Sequence, residues 1–237
     1  MADIKQSFQQ CFDEHRNTLT EYESKQVLQS IGIPVTKQEL VEARDEHALI
    51  EAAKRIGYPV VAKLMVEDIS HKSDVGAVKL GIRDDEHLKK AVSELLTIKT
   101  NDEHPKVSIQ EMGKAPVTEV IVGMTTDPQF GPALMFGIGG ILVELMKDVS
   151  FRIAPITRFD ATEMIKEIKG FPLLDGFRGK PKVNIDKIVD VLMAISAFVL
   201  EYPEVDQMDL NPVFVYEDSV LAVDARIILK TTPGTAP

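Results

Sequence analysis

The chain has 237 residues, 44% hydrophobic and 27% charged, which supplies enough apolar material for a buried core and excludes a compositionally disordered polypeptide. At ~150 residues per domain, this length suits one two-lobed unit better than two independent domains. Lys and Arg number 27 against 37 Asp and Glu, a formal net charge of −10; a generic phosphate-backbone binder carries the opposite balance, so any phosphate site must gather its basic groups locally.

The longest apolar runs, such as VLMAISAFVL (191–200), stop near ten residues, short of the ~20 that span a bilayer. The opening MADIKQSFQQ lacks the basic and apolar regions of a secretory signal. Neither a membrane nor a secreted protein is expected. The single cysteine, Cys11, has no partner for an internal disulfide, and no Cys/His cluster has zinc spacing. A cytoplasmic setting follows, with Cys11 as an inert packing residue.

In chain order, Thr20 and Glu23 form a capping box for a helix through ESKQVLQS that stops at Gly32. IPVTKQELV reads as a short strand. Asp45 caps HALIEAAKRI, which Gly57 ends, and YPVVAKLMV is an apolar run suited to a buried strand. The loop EDISHKSD leads into a strand, VGAVKLGI. Asp84 or Asp85 caps HLKKAVSELLTI, and KVSIQEM is again a strand. After residue 112 the texture changes: VTEVIVGMTTD, PALMFGIGGILVEL and SFRIAPIT are strands following strands, which predicts antiparallel pairing. Two helices, around ATEMIKEIKG and IDKIVDVLMAISAFVLEY, precede a hairpin of MDLNPVFVY, the turn EDS and VLAVDARII. The expectation is an α+β protein with an N-terminal arm (1–17), two α+β lobes (18–112 and 113–230), and a fraying tail (231–237). The crossover falls near Glu111–Met112–Gly113, with a ligand cleft between the lobes.

Four features could carry chemistry. Lys63, inside VVAKLM, is either a snorkelling edge residue or a charge aimed into a cleft. The loop from Ile69 to Val78 is rich in small residues, and its backbone amides could face phosphate oxygens, although the chain has no GxxxxGK[ST]. On the hairpin, Asn211 and Asp224 can face each other as hard oxygen ligands for Mg²⁺, or else cap a turn and sit in solvent. The glycines of FGIGG (136–140), followed by Glu144 and Arg152, mark bulges or a close approach of backbone to a ligand; GxGxxG is absent, which excludes a Rossmann fingerprint.

Taken in order, VVAKL, SHKSDVGAVKLGI, VTEVIVGMTTDPQFGPALMFGIGGILVELMKDVSFRIAPI and MDLNPVFV…LAVDARIIL resemble the ATP-grasp fold. They are similar to the nucleotide-binding β subunits of ADP-forming acetyl-CoA synthetases, relatives of the succinyl-CoA synthetase β subunit. The likeness runs from about Leu19 to Leu229. One departure is Ala77, where the family usually has a second glycine; the methyl adds bulk but keeps the backbone N–H. The two lobes then become the two ATP-grasp subdomains, with the nucleotide cleft between them.

The resemblance implies roles for particular residues. Lys63 would contact the nucleotide phosphates, and the amides of Gly76, Ala77 and Val78 would cover them. Glu111, Met112 and Gly113 would read adenine through the backbone, with Glu119 on the ribose hydroxyls. Asn211 and Asp224 match Mg²⁺ ligands. Asp209 matches a carboxylate that steadies an incoming phosphohistidine. His71 matches a phosphate acceptor, a role open to a neutral imidazole near pH 7, with Lys72 beside it to neutralise phosphoryl charge. Glu144 and Arg152 fall in a family motif without an assigned job. The implied reaction is acyl-CoA + ADP + phosphate ⇌ acid + CoA + ATP. This chain would do the nucleotide half beside a CoA-binding α subunit, in an α₂β₂ assembly, with neither nucleic acid nor membrane as partner. Two rivals are a self-contained ATP-grasp carboxylate–amine ligase and a non-catalytic nucleotide-sensing regulatory subunit.

Overall fold

The computed structural model describes residues 3–65, 76–99, 102–140 and 148–230. They divide into two compact units, one of residues 36–114 and one that joins the first 35 residues to those after 114.

The chain begins in the larger unit. Helix α1 (Ile4–Asp13) is capped by Asp3 and buries Ile4, Phe8 and Cys11, one stripe of the helix. Phe8 meets Phe198 and Tyr202 edge to face, at centroid distances of 6.5 and 5.9 Å. Helix α2 (Glu21–Ser30) starts at the expected capping box: Thr20 Oγ1 accepts from the Glu23 N–H, and the Glu23 carboxylate accepts from the Thr20 N–H. Inside it, Lys25 and Glu21 form an ion pair of 2.8 Å with side chains 0% and 2% exposed. Leu19 N–H donates to the Ile227 carbonyl, and Ala222 N–H to that of Pro34. The 1–17 arm and the start of the 18–112 lobe thus sit in the larger unit. The cause is hydrophobic: Leu19, Val27, Leu28 and Ile33 share one buried cluster with Phe198, Ile227 and Leu229.

The smaller unit is a four-stranded antiparallel sheet, ordered β1–β4–β2–β3, formed by β1 (Gln38–Glu42), β2 (Val60–Met65), β3 (Val78–Ile82) and β4 (Lys106–Glu111). Only the second half of IPVTKQELV joins it; Val35 makes a single bridge to Ala222 in the larger unit. Helices α3 (Glu46–Ile56) and α4 (Asp85–Leu95) are capped by Asp45 and Asp84. They share a buried cluster with Val60, Ala62, Leu64, Val107 and Ile109, so one face of the sheet is theirs.

The larger unit holds six strands: β5 (Thr118–Asp127), β6 (Gly131–Ile138), β7 (Val149–Ile153), β8 (Val205–Val215), β9 (Val220–Ala222) and β10 (Arg226–Leu229). The order is β10–β8–β5–β6–β7, with β9 also on β8, and every pairing is antiparallel, as strand after strand predicts. Helices α5 (Arg158–Glu167) and α6 (Ile185–Glu201) contribute to the main core together with Val120, Val122, Leu134, Phe136, Leu210 and Val213. Side chains alternate across a strand, which turns Gly123, Met135, Asp209, Asn211 and Arg226 to the face opposite that core. No helix among the described residues is long and apolar enough to cross a membrane.

The final hairpin departs from expectation in one detail. The returning run VLAVDARII does not pair throughout: it breaks at Val223–Ala225 into β9 and β10. Pro212 has no N–H for the ladder. Its carbonyl accepts from Val223 N–H at 3.1 Å, and Asp224 Oδ1 takes the Ala225 N–H at 2.8 Å.

Candidate functional site

In the smaller unit, Lys63 alternates with Ala62 and Leu64, which face the helices, and so points to the other side of the sheet. It is 5% exposed, which removes the snorkelling alternative. Its register partners are Ser108 on β4 and Val78 on β3. Gln110, two residues beyond Ser108 on the same face, donates from Nε2 to Ser108 Oγ at 3.0 Å. Ser108 and Gln110 are almost wholly buried. This polar yet enclosed face was not singled out from sequence, although the alternation V-S-I-Q carries it.

Gly76 has φ +73°, and a Cβ there would meet nothing within 4 Å, so the requirement for glycine is conformational. Ala77 is fully buried in the smaller unit's core, and its carbonyl accepts from Leu64 N–H at 2.9 Å. The methyl that departs from the family pattern is therefore accommodated by packing. Glu111 exchanges bonds with Lys37: its N–H donates to the Lys37 carbonyl, and its Oε1 accepts from the Lys37 N–H. Met112 and Gly113 follow β4 without ladder partners, and Met112 is exposed.

The larger unit gathers the remaining groups on its open sheet face. The pairings β9–β8 and β10–β8 follow one register, from Val213 opposite Ala222 to Asp209 opposite Arg226. Carried across the break, that register sets Asn211 opposite Asp224, as the sequence suggested. Cross-strand neighbours lie about 5 Å apart at Cβ. Asp209 lies in a row that crosses five strands: Phe151, Met135, Gly123, Asp209, Arg226. A Cβ at Gly123 would lie 3.1 Å from Met135 Cε and 3.3 Å from the Met208 carbonyl oxygen, so the glycine there answers to close packing between strands. Withdrawal from water, and then the Asp224 carboxylate, push the Asp209 carboxyl above its ordinary range, while Arg226 pulls it back.

Glu119 lies at the start of β5, where its carbonyl accepts from Gly139 N–H at 2.8 Å. Gly137 and Gly139 of FGIGG answer to close contacts within the protein. A Cβ at Gly137 would come within 2.8 Å of the Asp148 carbonyl oxygen, and one at Gly139 within 3.1 Å of the Glu119 carbonyl carbon. Arg152 is not brought to the open face. It stands opposite Leu134, a core residue, donates to Glu167 at 2.7 Å and caps the Phe151 carbonyl. An ion pair to α5 holds it on the helix side. His71, Lys72 and Glu144 lie outside the described residues.

The donor set at the hairpin break fits Mg²⁺. An amide oxygen and crowded carboxylates are hard ligands, and a cation would relieve the repulsion between Asp209 and Asp224. Among the described residues no three His, Cys, Asp or Glu side chains cluster as a complete protein cage would need. Such an ion would keep waters and take phosphate oxygens, as Mg²⁺ ordinarily does.

Residues 10–229 match the family model described as ATP-grasp domain. The chain belongs to the ATP-grasp family. It is 48% identical over 217 residues to the acetate–CoA ligase [ADP-forming] I subunit beta of Pyrococcus furiosus, covering 89% of this chain and 91% of that one. A solved dinucleotide forming acetyl-coenzyme A synthetase 1 from Ca. Korarchaeum cryptofilum, in complex with coenzyme A, Ca-AMPCP and HgCl⁺, superposes with a TM-score of 0.91 at 40% identity. That match covers 96% of this chain and 100% of the other. A second structure of that enzyme holds coenzyme A and Mg-AMPPCP, with a phosphohistidine segment pointing towards the nucleotide binding site. Its TM-score is 0.86 at 39% identity, again over 96% of this chain and 100% of that one. This ATP-grasp chain is thus matched over nearly its whole length by acyl-CoA ligase β subunits.

Proposed function

We propose that this chain is the β subunit of an ADP-forming acetate–CoA ligase and carries out the nucleotide half of acyl-CoA + ADP + phosphate ⇌ acid + CoA + ATP. The observation that carries the reading is the hairpin break, where one register aligns Asn211 with Asp224 beside Asp209 on an open sheet face. The 48% identity to a β subunit of that activity supports it.

Phosphoryl transfer asks for positioning and charge neutralisation more than for covalent chemistry by the protein. In this reading Lys63 binds the nucleotide phosphates, and the amides of Gly76, Ala77 and Val78 cover them. The Glu111–Gly113 backbone reads adenine, and Glu119 takes the ribose hydroxyls. Asn211 and Asp224 hold Mg²⁺, which when bound neutralises phosphate charge. Asp209 steadies the imidazole that delivers the phosphoryl group. His71 accepts phosphate within this chain, with Lys72 beside it. The subunit name borne by the Pyrococcus relative supports a partner polypeptide. We assign to it CoA binding and acyl transfer in an α₂β₂ cytoplasmic assembly.

The test is chemical. Incubating the chain with Mg·[γ-³²P]ATP, alone and with a CoA-binding α subunit, should leave acid-labile, base-stable phosphate on His71, and His71→Ala should abolish it while nucleotide affinity stays within about threefold. Normal ATP formation from acyl-CoA by His71→Ala would refute the relay. Asp224→Asn should raise the Mg²⁺ concentration required, and an unchanged requirement would move the metal elsewhere.

A further inference from the structure

Arg226 opens β10 directly opposite Asp209 and two residues after Asp224. Ile227 beside it enters the core, which leaves Arg226 on the opposite face of β10. Its side chain is exposed, as are those of Asp209 and Asn211, so the three share an accessible surface. Facing a carboxylate in register, a guanidinium would ordinarily close an ion pair with it. This one does not: among the described residues no carboxylate stands within 4.0 Å of it, although its charge is felt at Asp209. The donor fork is therefore unspent. Formal charges complete the argument, since two carboxylates and one guanidinium sum to −1, and a divalent cation held there would turn the cluster to +1. A site of that charge, with a planar fork on its rim, suits a phosphoryl dianion.

We propose that Arg226 is the residue that grips the transferring phosphoryl group. The assignment rests on the nucleotide reading above and adds a contact to it. In the direction of ATP formation, the N–P bond of the phosphoimidazole breaks and its electron pair returns to the ring nitrogen. A terminal phosphate oxygen of ADP forms the new P–O bond. The guanidinium stays protonated throughout, donating N–H groups to the equatorial oxygens, where charge is spread as the old bond breaks.

The contact makes a prediction that general electrostatics does not. Arg226 should distinguish a nucleotide that carries the third phosphoryl group from one that lacks it. Equilibrium binding of Mg·ADP and of the magnesium complex of β,γ-methylene-ATP to the 237-residue chain reads this directly. Arg226→Ala should weaken the triphosphate analogue about tenfold or more, the scale of a lost charge-assisted hydrogen bond, and ADP less than about threefold. Arg226→Lys should recover part of the loss, and Lys187→Ala, an exposed charge on α6, should change neither affinity. With a CoA-binding partner present, Arg226→Ala should slow ATP formation by about 10²-fold or more. Equal weakening of both nucleotides, or no weakening, in a variant that keeps the wild-type circular dichroism and urea midpoint would overturn the assignment alone. Failure of the unaltered chain to bind either nucleotide would overturn the nucleotide reading with it.

Discussion

Replacing Lys25 by methionine tests how a buried charge is maintained in the larger unit. Lys25 Nζ lies 2.8 Å from Glu21 Oε1, with both side chains at most 2% exposed. At an effective dielectric of ~20, that separation corresponds to an attraction of about 6 kcal/mol. Removing each ion from water costs several kcal/mol, so the pair comes close to break-even. The single variant is different, because Glu21 keeps its desolvation and loses this partner. Lys25→Met should therefore lose about 3–5 kcal/mol, while Glu21→Met with Lys25→Met should recover most of it. Urea unfolding followed by far-UV circular dichroism gives both values, provided the slope is unchanged between variants. Because α2 packs against β10, the single variant should also loosen the strand that carries Arg226. A loss below about 1 kcal/mol in the single variant, or a double variant no better than the single, would refute the reasoning.

Two further outcomes can be checked with the chain alone. Phe8→Ala removes a side chain 4% exposed between Phe198 and Tyr202, and should cost about 3 kcal/mol in urea unfolding and expose α1 to proteolysis; an α1 as protected as in the unaltered chain would contradict its docking. Asp209→Asn should raise the melting temperature at pH 7. The folded-state pKa of Asp209 is raised, so its carboxylate opposes folding once pH exceeds that value, and the penalty fades as pH falls through the folded pKa toward the unfolded one near ~4. The variant's advantage should vanish at pH 3; an advantage that grew on acidification would reverse the assignment of cause.

Elements governed by local chemistry were legible in the sequence. The Thr20–Glu23 box, the caps at Asp45 and Asp84, and the left-handed glycines Gly32 and Gly57 all lie where side-chain type dictates. The antiparallel pairing of strand after strand was equally readable. What stayed hidden depends on long-range burial. Nothing within residues 1–35 states that Leu19 and Leu28 will pack beside Ile227 and Leu229 rather than under the strands that follow them in the chain. The placement of Arg152 was hidden for the same reason: an arginine on an edge strand gives no sign of which face it takes until Glu167 on α5 is in place. Arg226 carried no local signal, because only the pairing of β10 with β8 sets it opposite Asp209.

The smaller unit interrupts the larger one, which opens before residue 36 and resumes after 114. During synthesis the ribosome therefore delivers every strand and helix of the inserted unit while α1 and α2 still wait for their neighbours. Phe198 and Tyr202, against which Phe8 rests, and Ile227, whose carbonyl receives Leu19, emerge only after the whole inserted unit. Until then the stripe of Ile4, Phe8 and Cys11 on α1 has no core to enter.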